Sequence, residues 1–494
     1  MDQNSWTMLQ KYPDELILAL AEMMQEKSEF CYISGGTVRD WFMGVESKDL
    51  DLTVPHDGYG WAESLAEKLD GTFVPMDEEE DVARVVWQGL CIDFSSFREG
   101  TETIEDDLLK RDFTINSMAV IFPVDPQDIR DETARPRIFG QDRGLADLDD
   151  LVIRCNSPAV FVSDPLRLLR AYRFMAVLGF YFEPQTRTAI RKHKELLFLV
   201  AEERIAYELD CIMSSPRSVS ALESMHEDDL LAELLPELYR GVGVEQPSSH
   251  HLDVFEHCMA TFKQMIEVQD NPEKYFPGHG EKLVDYLAVG RRKVLLKWAA
   301  LLHDLGKPET HEIREDKGGR ITFYNHDQEG ARLFEIIADR LKWSRDDTGF
   351  VSRLISIHMW PFHLNNARRK TGVTLKAYLR LIKATEEDYS GLFMLAMADS
   401  LAGRGIGKPP AMEEDMASLF DEVDTVYYQK IQPVLESPRL LDGSDLIELF
   451  GLEPGPLFKE IFESLEDAQV EGRVHTKEEA VDWVKEFLQA GLNS

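Results

Sequence analysis

The amino-acid sequence predicts an α+β protein in which one small N-terminal α/β domain is followed by all-helical domains. Its length of 494 residues exceeds what one hydrophobic core usually organises, so several domains are expected. The first 145 residues mix helical periodicity with short runs rich in β-branched and aromatic residues. From residue 146 onward the apolar period is helical. We therefore predict four domains: residues 1–145, 146–245, 246–405 and 406–494.

Composition and hydropathy narrow the class of protein. The apolar fraction of 44% and the charged fraction of 29% are typical of globular proteins. No run approaches about 18 apolar residues and the N-terminal segment has no basic leader, so we expect a cytoplasmic protein without membrane association. The five cysteines lie far apart and form no CxxC pair, which indicates neither a disulfide framework nor a zinc ribbon.

The net charge of −36 is an objection to a nucleic-acid enzyme, because it repels RNA at long range. Basic side chains nevertheless cluster in four short stretches, at residues 167–174, 187–195, 291–293 and 367–370. Each stretch alone is also compatible with a solvated helix face. We expect RNA binding to depend on local contacts that weaken with salt.

Two glycines mark the first candidate site. Gly35-Gly36 separates the apolar run CYIS from the helical segment TVRDWFMG. Such a turn brings backbone N–H groups and a helix N-terminus against phosphates. Arg39 follows one helical turn later. The pattern predicts a phosphate-binding turn, although a pair of glycines is by itself a common feature.

A pair of carboxylates follows the glycines. Asp49-Leu50-Asp51 opens a β-rich run, and its two-residue period points both carboxylates to one face while Leu50 faces the core. Two divalent cations about 4 Å apart would activate an attacking hydroxyl and neutralise a leaving pyrophosphate, and oxygen ligands favour Mg²⁺. Asp93, in the run CIDF, is a candidate third carboxylate that would aid deprotonation. Alone, the aspartate pair is more often plain surface charge.

The ordered combination GGTVRDWFMGVESKDLDLTV resembles the polymerase-beta nucleotidyltransferase superfamily, and within it the bacterial class II tRNA nucleotidyltransferase and poly(A) polymerase family. The segment EDDLLKRDFTINSMAV resembles a second motif of that family. The resemblance implies that Gly36, Arg39 and Arg111 hold the triphosphate. It also implies that Asp112 and Asn116 support the sugar or the local fold, with helix capping as the alternative for Asp112.

A third motif, SDPLRLLRAYRF, resembles the helix with which this family reads the nucleobase. We expect Ser163 to cap that helix, and Asp164 and Arg167 to share one of its faces. Arg170 matches a nucleotide contact of the family, whereas Arg173 is expected to be structural. The family usually has glutamate where Ser163 stands. The implied fold is a polymerase-beta-like domain followed by helical neck, HD and tail domains.

Asp164 and Arg167 provide a physical basis for base selection without a template. Cytosine and adenine both present an exocyclic amino donor beside a ring-nitrogen acceptor. A carboxylate accepts from the amino group, and a guanidinium donates to the ring nitrogen. Guanine and uracil invert the pattern and leave buried polar groups unpaired, at a cost on the order of 1 to 3 kcal/mol each. The pair therefore predicts use of CTP or ATP.

The connection after Asp93 bears on the number of nucleotides added. Only the six residues Glu99–Ile104 separate DFSSFR from EDDL. Family members that add C, C and A are similar to one another in carrying a flexible loop here, whereas a shortened loop resembles the specialists that add CC. Without a flexible loop at this position, the base pocket would not change from binding CTP to binding ATP after two cytidines have been added. CCA addition and poly(A) synthesis remain alternatives, because loop length drifts.

A second constellation lies in the third predicted domain. A helical apolar run ends in LLHDLGKPET, which resembles the core of HD-type metal-dependent phosphohydrolases. His257, His303, Asp304 and Asp399 match that family's ligands in order, and His326 and His358 are candidates to complete a two-metal site. The resemblance implies an unidentified divalent transition metal that activates water to hydrolyse phosphomonoesters or 2′,3′-cyclic phosphates on RNA. The alternatives are a structural metal, or an RNA-binding or dimerising domain without metal.

Together these patterns predict a template-independent tRNA nucleotidyltransferase that adds CC, or CCA, to the tRNA 3′ end from CTP and ATP. Its partners are tRNA and these nucleotides, and no obligate protein partner is indicated. The alternatives are a poly(A) polymerase, and an HD phosphohydrolase whose nucleotidyltransferase domain has become an RNA-binding module. The stretch QPSSHH, residues 246–251, is expected to be a linker before the HD domain.

Overall fold

The computed structural model describes residue 6 and residues 9–46, 49–131 and 134–491. The chain forms two compact units, Met1–Glu233 and Leu234–Ser494. The first contains a seven-stranded sheet with helices, and the described part of the second is helical apart from one β-hairpin. The predicted α+β class is confirmed. The four domain boundaries remain a prediction.

The N-terminal part of the first unit contains both strands and helices. The helices α1 to α5 are Asp14–Lys27, Gly35–Phe42, Gly58–Leu69, Ile104–Lys110 and Gln141–Asp149. The strands β1 to β8 are Tyr32–Ser34, Asp49–Val54, Thr72–Asp77, Val82–Trp87, Leu90–Ser96, Ala119–Ile121, Ile138–Phe139 and Val152–Ile153. Short 3-10 turns occur at Thr114–Asn116, Pro126–Ile129 and Lys194–Leu199.

The later part of the first unit is mostly helical. The helices α6 to α11 are Val160–Ser163, Arg167–Leu178, Pro184–His193, Glu202–Ser214, Ser218–Glu227 and Leu230–Leu234. One detail departs from the all-helical neck: strand β9, Tyr181–Phe182, pairs in parallel with β8. Arg173 of α7 pairs with the buried Glu208 of α9 at 3.1 Å, which joins two helices and matches the structural role expected of Arg173.

The large sheet has the strand order β3-β4-β5-β2-β1-β6-β7 and is antiparallel except between β2 and β5. In β2, Leu50 is buried whereas Asp49 and Asp51 retain exposure, as the two-residue period predicted. Trp61 of α3 stacks on Phe94 of β5 with ring centroids 6.2 Å apart, so this face of the sheet forms the core. Asp49 and Asp51, which alternate with Leu50 along β2, are not part of this core.

The second unit is built from helices α12 to α27. They are Pro236–Tyr239, Val254–Asp270, Pro272–Tyr275, Gly280–Ala288, Arg292–Leu302, Lys307–Thr310, His326–Arg340, Arg345–Ile357, Trp360–Lys370, Leu375–Ala384, Tyr389–Ala402, Met412–Val426, Gln432–Leu435, Gly443–Phe450, Pro456–Val470 and Lys477–Gly491. A π-helical turn lies at Tyr427–Ile431, and the hairpin strands β10 and β11 are His311–Arg314 and Arg320–Phe323.

The core of the second unit forms around α22, whose side chains are buried on nearly every side. Helices α13, α16 and α23 pack against α22. A separate apolar cluster joins α25, α26 and α27, with Leu446, Ile461 and Val484 fully or almost fully buried. Within the described ranges, no helix is both long enough and apolar enough to cross a bilayer.

Candidate active sites

The first candidate site begins where β1 ends at Ser34 and α2 begins at Gly35. Gly35 has a φ of +63°, in the left-handed region that favours glycine. Side chains would crowd this turn: a Cβ on Gly35 would lie 3.0 Å from Arg111 Nη1, and one on Gly36 would lie 3.1 Å from Asp51 Oδ2. The helix N-terminus therefore opens beside a guanidinium and a carboxylate, as expected of a phosphate-binding turn next to a metal site.

Thr37 fixes the strand that carries the two aspartates. Thr37 N donates to Asp51 Oδ2 at 3.1 Å, and Thr37 Oγ1 accepts from Asp51 N at 2.8 Å. Thr37 Oγ1 also donates to the carbonyl oxygen of Asp49 at 3.2 Å. Sequence reasoning missed Thr37, because a threonine after two glycines has no pattern that indicates contacts with a strand twelve residues away.

The electrostatics of Asp51 suit a cation. Burial raises the pKa of Asp51, the Thr37 amide opposes that shift, and the charge of Asp93 adds to it. Asp93 is directly opposite Asp51 on the parallel neighbour β5. A divalent cation would remove the repulsion between these carboxylates, and carboxylate oxygens are the ligands that Mg²⁺ prefers. The residues present therefore fit a divalent cation.

Asp93 has a partner of its own. Arg84 is opposite Asp93 in the antiparallel register of β4 and β5, and donates to both of its carboxylate oxygens at 2.7 and 2.8 Å. The sequence placed Asp93 near Asp51 but missed Arg84. The run ARVVWQG predicts only a strand, and its register with β5 exists only in the folded sheet.

Arg111 and Arg39 reach the glycine turn from different elements. Arg111 is buried and donates to Thr53 Oγ1 at 2.8 Å, and Arg39 donates to Asn116 Oδ1 at 2.8 Å. Burial lowers the pKa of Arg111, and the positive charge of Arg98 lowers it further. A bound anion would stabilise these charges. The structure thus brings together the three residues expected to hold a triphosphate, Gly36, Arg39 and Arg111.

Asp112 is held in an ion pair. Arg170 Nε and Nη2 donate to Asp112 Oδ2 at 2.9 and 2.7 Å, while Asn116 Nδ2 and Phe113 N donate to Oδ1 at 3.1 and 2.8 Å. Burial opposes the charged form, but Arg170 outweighs it and holds the pKa of Asp112 well below its usual range. The backbone contact is to the adjacent Phe113, so Asp112 does not cap a helix. Asp112 and Asn116 support the local fold and anchor Arg170.

Asp164 and Arg167 meet across a turn and not on one helix face. Helix α6 ends at Ser163, Asp164 is extended with a φ of −144°, and α7 begins at Arg167. The prediction that Ser163 caps the reading helix is wrong, because Pro165 disfavours helical backbone at the preceding residue. Arg167 Nε lies 3.9 Å from Asp164 Oδ2, and their side chains are 12% and 29% exposed. Both polar ends therefore stay partly open to a ligand.

The connection between β5 and α4 spans residues 97–103 and is held along its length. Phe97 N donates to the carbonyl oxygen of Val54 at 2.9 Å. Arg98 N and Nη1 both donate to Asp107 Oδ1, at 3.0 and 2.8 Å. The hydroxyl of Thr103 caps α4. The short connection expected from the sequence is confirmed, and its contacts make it a tied turn.

The second candidate site gathers six buried side chains around α13, α16, α18, α19 and α22. They are the six residues predicted from the sequence: His257, His303, Asp304, His326, His358 and Asp399. Their ligand atoms form two overlapping groups, each within 4.8 Å: His257 with His303 and Asp399, and His303 with Asp304 and His358. His326 Nε2 lies 3.2 Å from His358 Nε2 and 3.5 Å from Asp304 Oδ1, so all six residues converge.

Backbone hydrogen bonds orient the histidines for metal binding. Three Nδ1 atoms lie 2.7 to 3.0 Å from carbonyl oxygens: His303 from Ala300, His326 from Phe323 and His358 from Ile355. Donation from Nδ1 leaves the Nε2 lone pair free, as in most histidine metal ligands. Burial also lowers the pKa of His257, His326 and His358, that of His358 to about 3. Neutral imidazole is the form that binds metal.

Asp304 provides a test of whether a cation fits. It is almost fully buried, and its Oδ1 finds no hydrogen-bond partner among the residues that the structure describes. Burial opposes the charged form of Asp304, but His303 and Lys307 hold its pKa well below its usual range. A buried carboxylate oxygen without a partner is costly unless an ion satisfies it. Mixed imidazole and carboxylate ligands fit a divalent transition metal.

A cavity of about 1180 Å³ opens onto this cluster of six side chains. Its wall includes residues 246–250, which belong to the stretch 246–251 that the sequence had assigned to a linker. Gln246 Oε1 accepts from Lys307 Nζ at 2.7 Å, and Lys307 Nζ lies 2.6 Å from Asp304 Oδ2. The ring of His250 packs against that of His257 at 4.6 Å. Sequence reasoning missed Lys307 and His250 as site residues, although Lys307 follows the His-Asp pair by one helical turn.

Family models match four consecutive parts of the chain. The poly A polymerase head domain matches residues 31–154. The probable RNA and SrmB-binding site of polymerase A matches residues 179–240. The HD domain matches residues 254–388, and a putative tRNA nucleotidyltransferase domain 2 matches residues 420–484. The head-domain match contains the glycine turn and the three carboxylates of the first site.

Characterised relatives are similar over nearly the whole chain. The A-adding tRNA nucleotidyltransferase of Deinococcus radiodurans is 32% identical over 92% of this chain and 95% of its own. The CC-adding tRNA nucleotidyltransferase of Thermus thermophilus is 29% identical over 90% and 91% of the two chains. The Thermotoga maritima CCA-adding enzyme complexed with tRNA shares the fold, with a TM-score of 0.60 and 20% identity over 98% of both chains.

Proposed function

The chain belongs to the tRNA nucleotidyltransferase family, and we propose that its first site adds cytidines to the 3′ end of tRNA. The observation that carries the proposal is the close approach of the glycine turn to Asp51. A Cβ on Gly36 would lie only 3.1 Å from Asp51 Oδ2, so a phosphate bound at the turn lies beside the metal-binding carboxylates. That juxtaposition suits chemistry at the α-phosphate of a nucleotide.

The proposed reaction is in-line attack of the tRNA 3′ hydroxyl on the α-phosphate of CTP, with pyrophosphate as the leaving group. Asp49 and Asp51 would hold Mg²⁺, which would supply activation of the hydroxyl and neutralisation of the charge on the leaving pyrophosphate. The N-terminus of α2, at Gly35 and Gly36, holds the triphosphate together with Arg39 and Arg111. The protein's own contribution is mainly orientation and charge.

Base selection is assigned to Asp164 and Arg167. The carboxylate accepts from the exocyclic amino group and the guanidinium donates to the ring nitrogen, a pattern shared by cytosine and adenine. The partial exposure of both side chains leaves them available to a base. Arg170, fixed by Asp112, borders the same region and completes the seat of the nucleotide.

The tied turn after β5 supports addition of CC. A connection of residues 97–103 that is bonded along its length cannot supply a large motion to remodel the base pocket for ATP. Addition of a single A is the second candidate. It is favoured by the A-adding enzyme of Deinococcus radiodurans, a relative 32% identical over almost its full length.

Three tRNA transcripts separate these outcomes: one without any CCA nucleotide, one ending in C and one ending in CC. Each is incubated with CTP, with ATP and with both, and products are resolved at single-nucleotide length. We expect two cytidines on the first transcript, one on the second and nothing on the third. Asp49→Asn, which removes charge at constant shape, is the inactive control.

Other results would contradict CC addition in distinct ways. Use of ATP only on the CC-ended transcript identifies an A-adding enzyme, and completion of CCA identifies a full CCA-adding enzyme. Long adenosine tails on arbitrary RNA identify a poly(A) polymerase. Failure to incorporate either nucleotide favours an RNA-binding module in place of a transferase.

For the second site we propose metal-dependent hydrolysis of phosphomonoesters or 2′,3′-cyclic phosphates at RNA 3′ ends. The support is the six converging ligands and the cavity that opens onto them. The bound transition metal would supply an activated water. Such an activity would prepare damaged ends for nucleotide addition in the cytoplasm, the location predicted for this protein.

A further inference from the structure

Asp164, the carboxylate assigned to the base, contacts a second arginine. Arg204 of α9 places Nη2 3.3 Å from Asp164 Oδ2 and 3.5 Å from Oδ1. Leu166 N donates to Asp164 Oδ1 at 3.3 Å. Asp164 lies in the turn between α6 and α7, where no helix fixes its side chain. The direction of its carboxylate is therefore set by Arg204 and Leu166, together with the more distant Arg167.

Arg167 is fixed differently, by neutral oxygens. Its Nη1 donates to the carbonyl oxygens of Lys110 at 3.1 Å and Val160 at 3.5 Å, and lies 3.4 Å from Ser163 Oγ. Residue 163 thus contributes a hydroxyl and no charge to this chain's reading pair. The two members of the pair differ in their nearest partners, which are neutral oxygens for Arg167 and the guanidinium of Arg204 for the Asp164 carboxylate.

We propose that Arg204 is a positioning residue for base selection, which holds the Asp164 carboxylate in the direction that accepts the amino group of cytosine or adenine. The proposal rests on the base-reading role assigned above to Asp164. Carboxylate torsions are broad, so a carboxylate on a turn takes its direction from its partners. Each carboxylate oxygen has two lone pairs, and contact with Arg204 leaves others for the base.

Arg204 controls selectivity more than turnover. If it is removed, the carboxylate turns more freely and the mismatch that rejects uracil and guanine is less strictly enforced. The Arg204 side chain is 56% exposed, so the effect is that of a half-exposed ion pair. For Arg204→Gln we expect the ratio of kcat/KM for CTP to that for UTP to fall about two- to fivefold. Arg204→Lys keeps the charge and should restore part of the ratio.

The experiment compares single-nucleotide incorporation of CTP and UTP, and of ATP and GTP, by the full-length variants. Arg143→Gln is the matched control, because it also removes one arginine charge from an exposed position, on α5. We expect Arg143→Gln to leave both selectivity ratios at the wild-type value. If Arg204→Gln leaves these ratios unchanged, even with a lower kcat/KM for every nucleotide, the proposal is overturned.

Asp164→Asn separates this inference from the function on which it rests. It places an amide where the amino group needs an acceptor, so its loss of selectivity should exceed that of Arg204→Gln. If Asp164→Asn leaves the ratios unchanged, the base-reading role itself is wrong. If Asp164→Asn loses selectivity and Arg204→Gln does not, only the role of Arg204 is wrong.

Discussion

Arg84 and Asp93 form a bidentate ion pair across β4 and β5. Arg84 Nε lies 2.7 Å from Asp93 Oδ1, and Arg84 Nη2 lies 2.8 Å from Asp93 Oδ2. This geometry orients the carboxylate more strictly than a single hydrogen bond does. It leaves a second lone pair on each oxygen for a cation or a proton. Asp93 therefore stands opposite Asp51 as a carboxylate already fixed in direction.

Arg84→Gln should impair the chemical step while leaving the fold intact. Loss of an outer partner of a metal-site carboxylate typically costs about 10- to 100-fold in activity or metal affinity. We expect a loss of CTP incorporation in that range and a higher Mg²⁺ concentration for half-maximal rate. Arg143→Gln, on the exposed face of α5, is the control that removes the same charge. Wild-type rates for Arg84→Gln at every Mg²⁺ concentration would show that the ion pair is only structural.

Gly35→Ala and Gly44→Ala form a matched pair for the glycine turn. Their φ values are +63° and +68°, so alanine at either position costs about 1 to 2 kcal/mol in unfolding free energy. A Cβ on Gly35 would also approach Arg111 Nη1 at 3.0 Å, whereas one on Gly44 meets no described atom within 4 Å. Urea denaturation should show similar destabilisation of both. Only Gly35→Ala should lose CTP incorporation, and equal losses would contradict a phosphate-binding role for the turn.

Lys297 gives the stability of the second unit a pH dependence. Burial, with a smaller contribution from Lys293, lowers the pKa of Lys297 to about 8, whereas an unfolded lysine titrates near about 10.4. Between these values the unfolded chain binds more protons, so stability rises as pH rises. Below about pH 8 both states are charged and the burial penalty is complete.

Lys297→Met removes that penalty, so its unfolding free energy relative to wild type should be most favourable at pH 7. As the pH rises from 7 to 10, the unfolding free energy of the wild type should increase relative to that of Lys297→Met. Urea denaturation at each pH measures this difference. Lys263→Met is the control, since its side chain is exposed on α13. A pH-independent difference for Lys297→Met would mean that Lys297 stays charged in the folded protein.

The two proposed activities should separate by mutation and by metal removal. His303→Ala combined with Asp304→Ala removes ligands from both metal groups, so hydrolysis of an RNA 2′,3′-cyclic phosphate should be lost. CTP incorporation should persist, because Asp49 and Asp51 belong to the other unit. The exposed His475→Ala serves as control. Loss of both activities together would contradict independent sites.

Chelation followed by addition of single transition metals would identify the metal that restores hydrolysis.

Much of the first site could be predicted from local sequence. Gly35-Gly36 between a strand and a helix, and Asp49-Leu50-Asp51 with its two-residue period, are patterns within a few residues, and local backbone geometry fixes what they do. The adjacent residues His303 and Asp304 are likewise a local pattern, which indicates a metal site. The expected cap at Ser163 is wrong because Pro165 disfavours helical backbone at Asp164, so that α6 ends at Ser163.

The tertiary structure decided which side chains act on the chemistry-bearing residues. Arg84 acquires its role from the register of β4 and β5, Arg204 from the packing of α9 beside the turn that carries Asp164, and Lys307 from contact with Asp304 and Gln246. Arginines and lysines are also common on solvated surfaces, so the sequence does not distinguish Arg84 or Arg204 from surface charges, and only the one-turn spacing of Lys307 from Asp304 indicates a contact. The sequence by itself determined the kinds of chemistry, because glycines, aspartates and histidines carry them in short patterns. Their orientation is set by contacts between residues far apart in the chain, which exist only after folding.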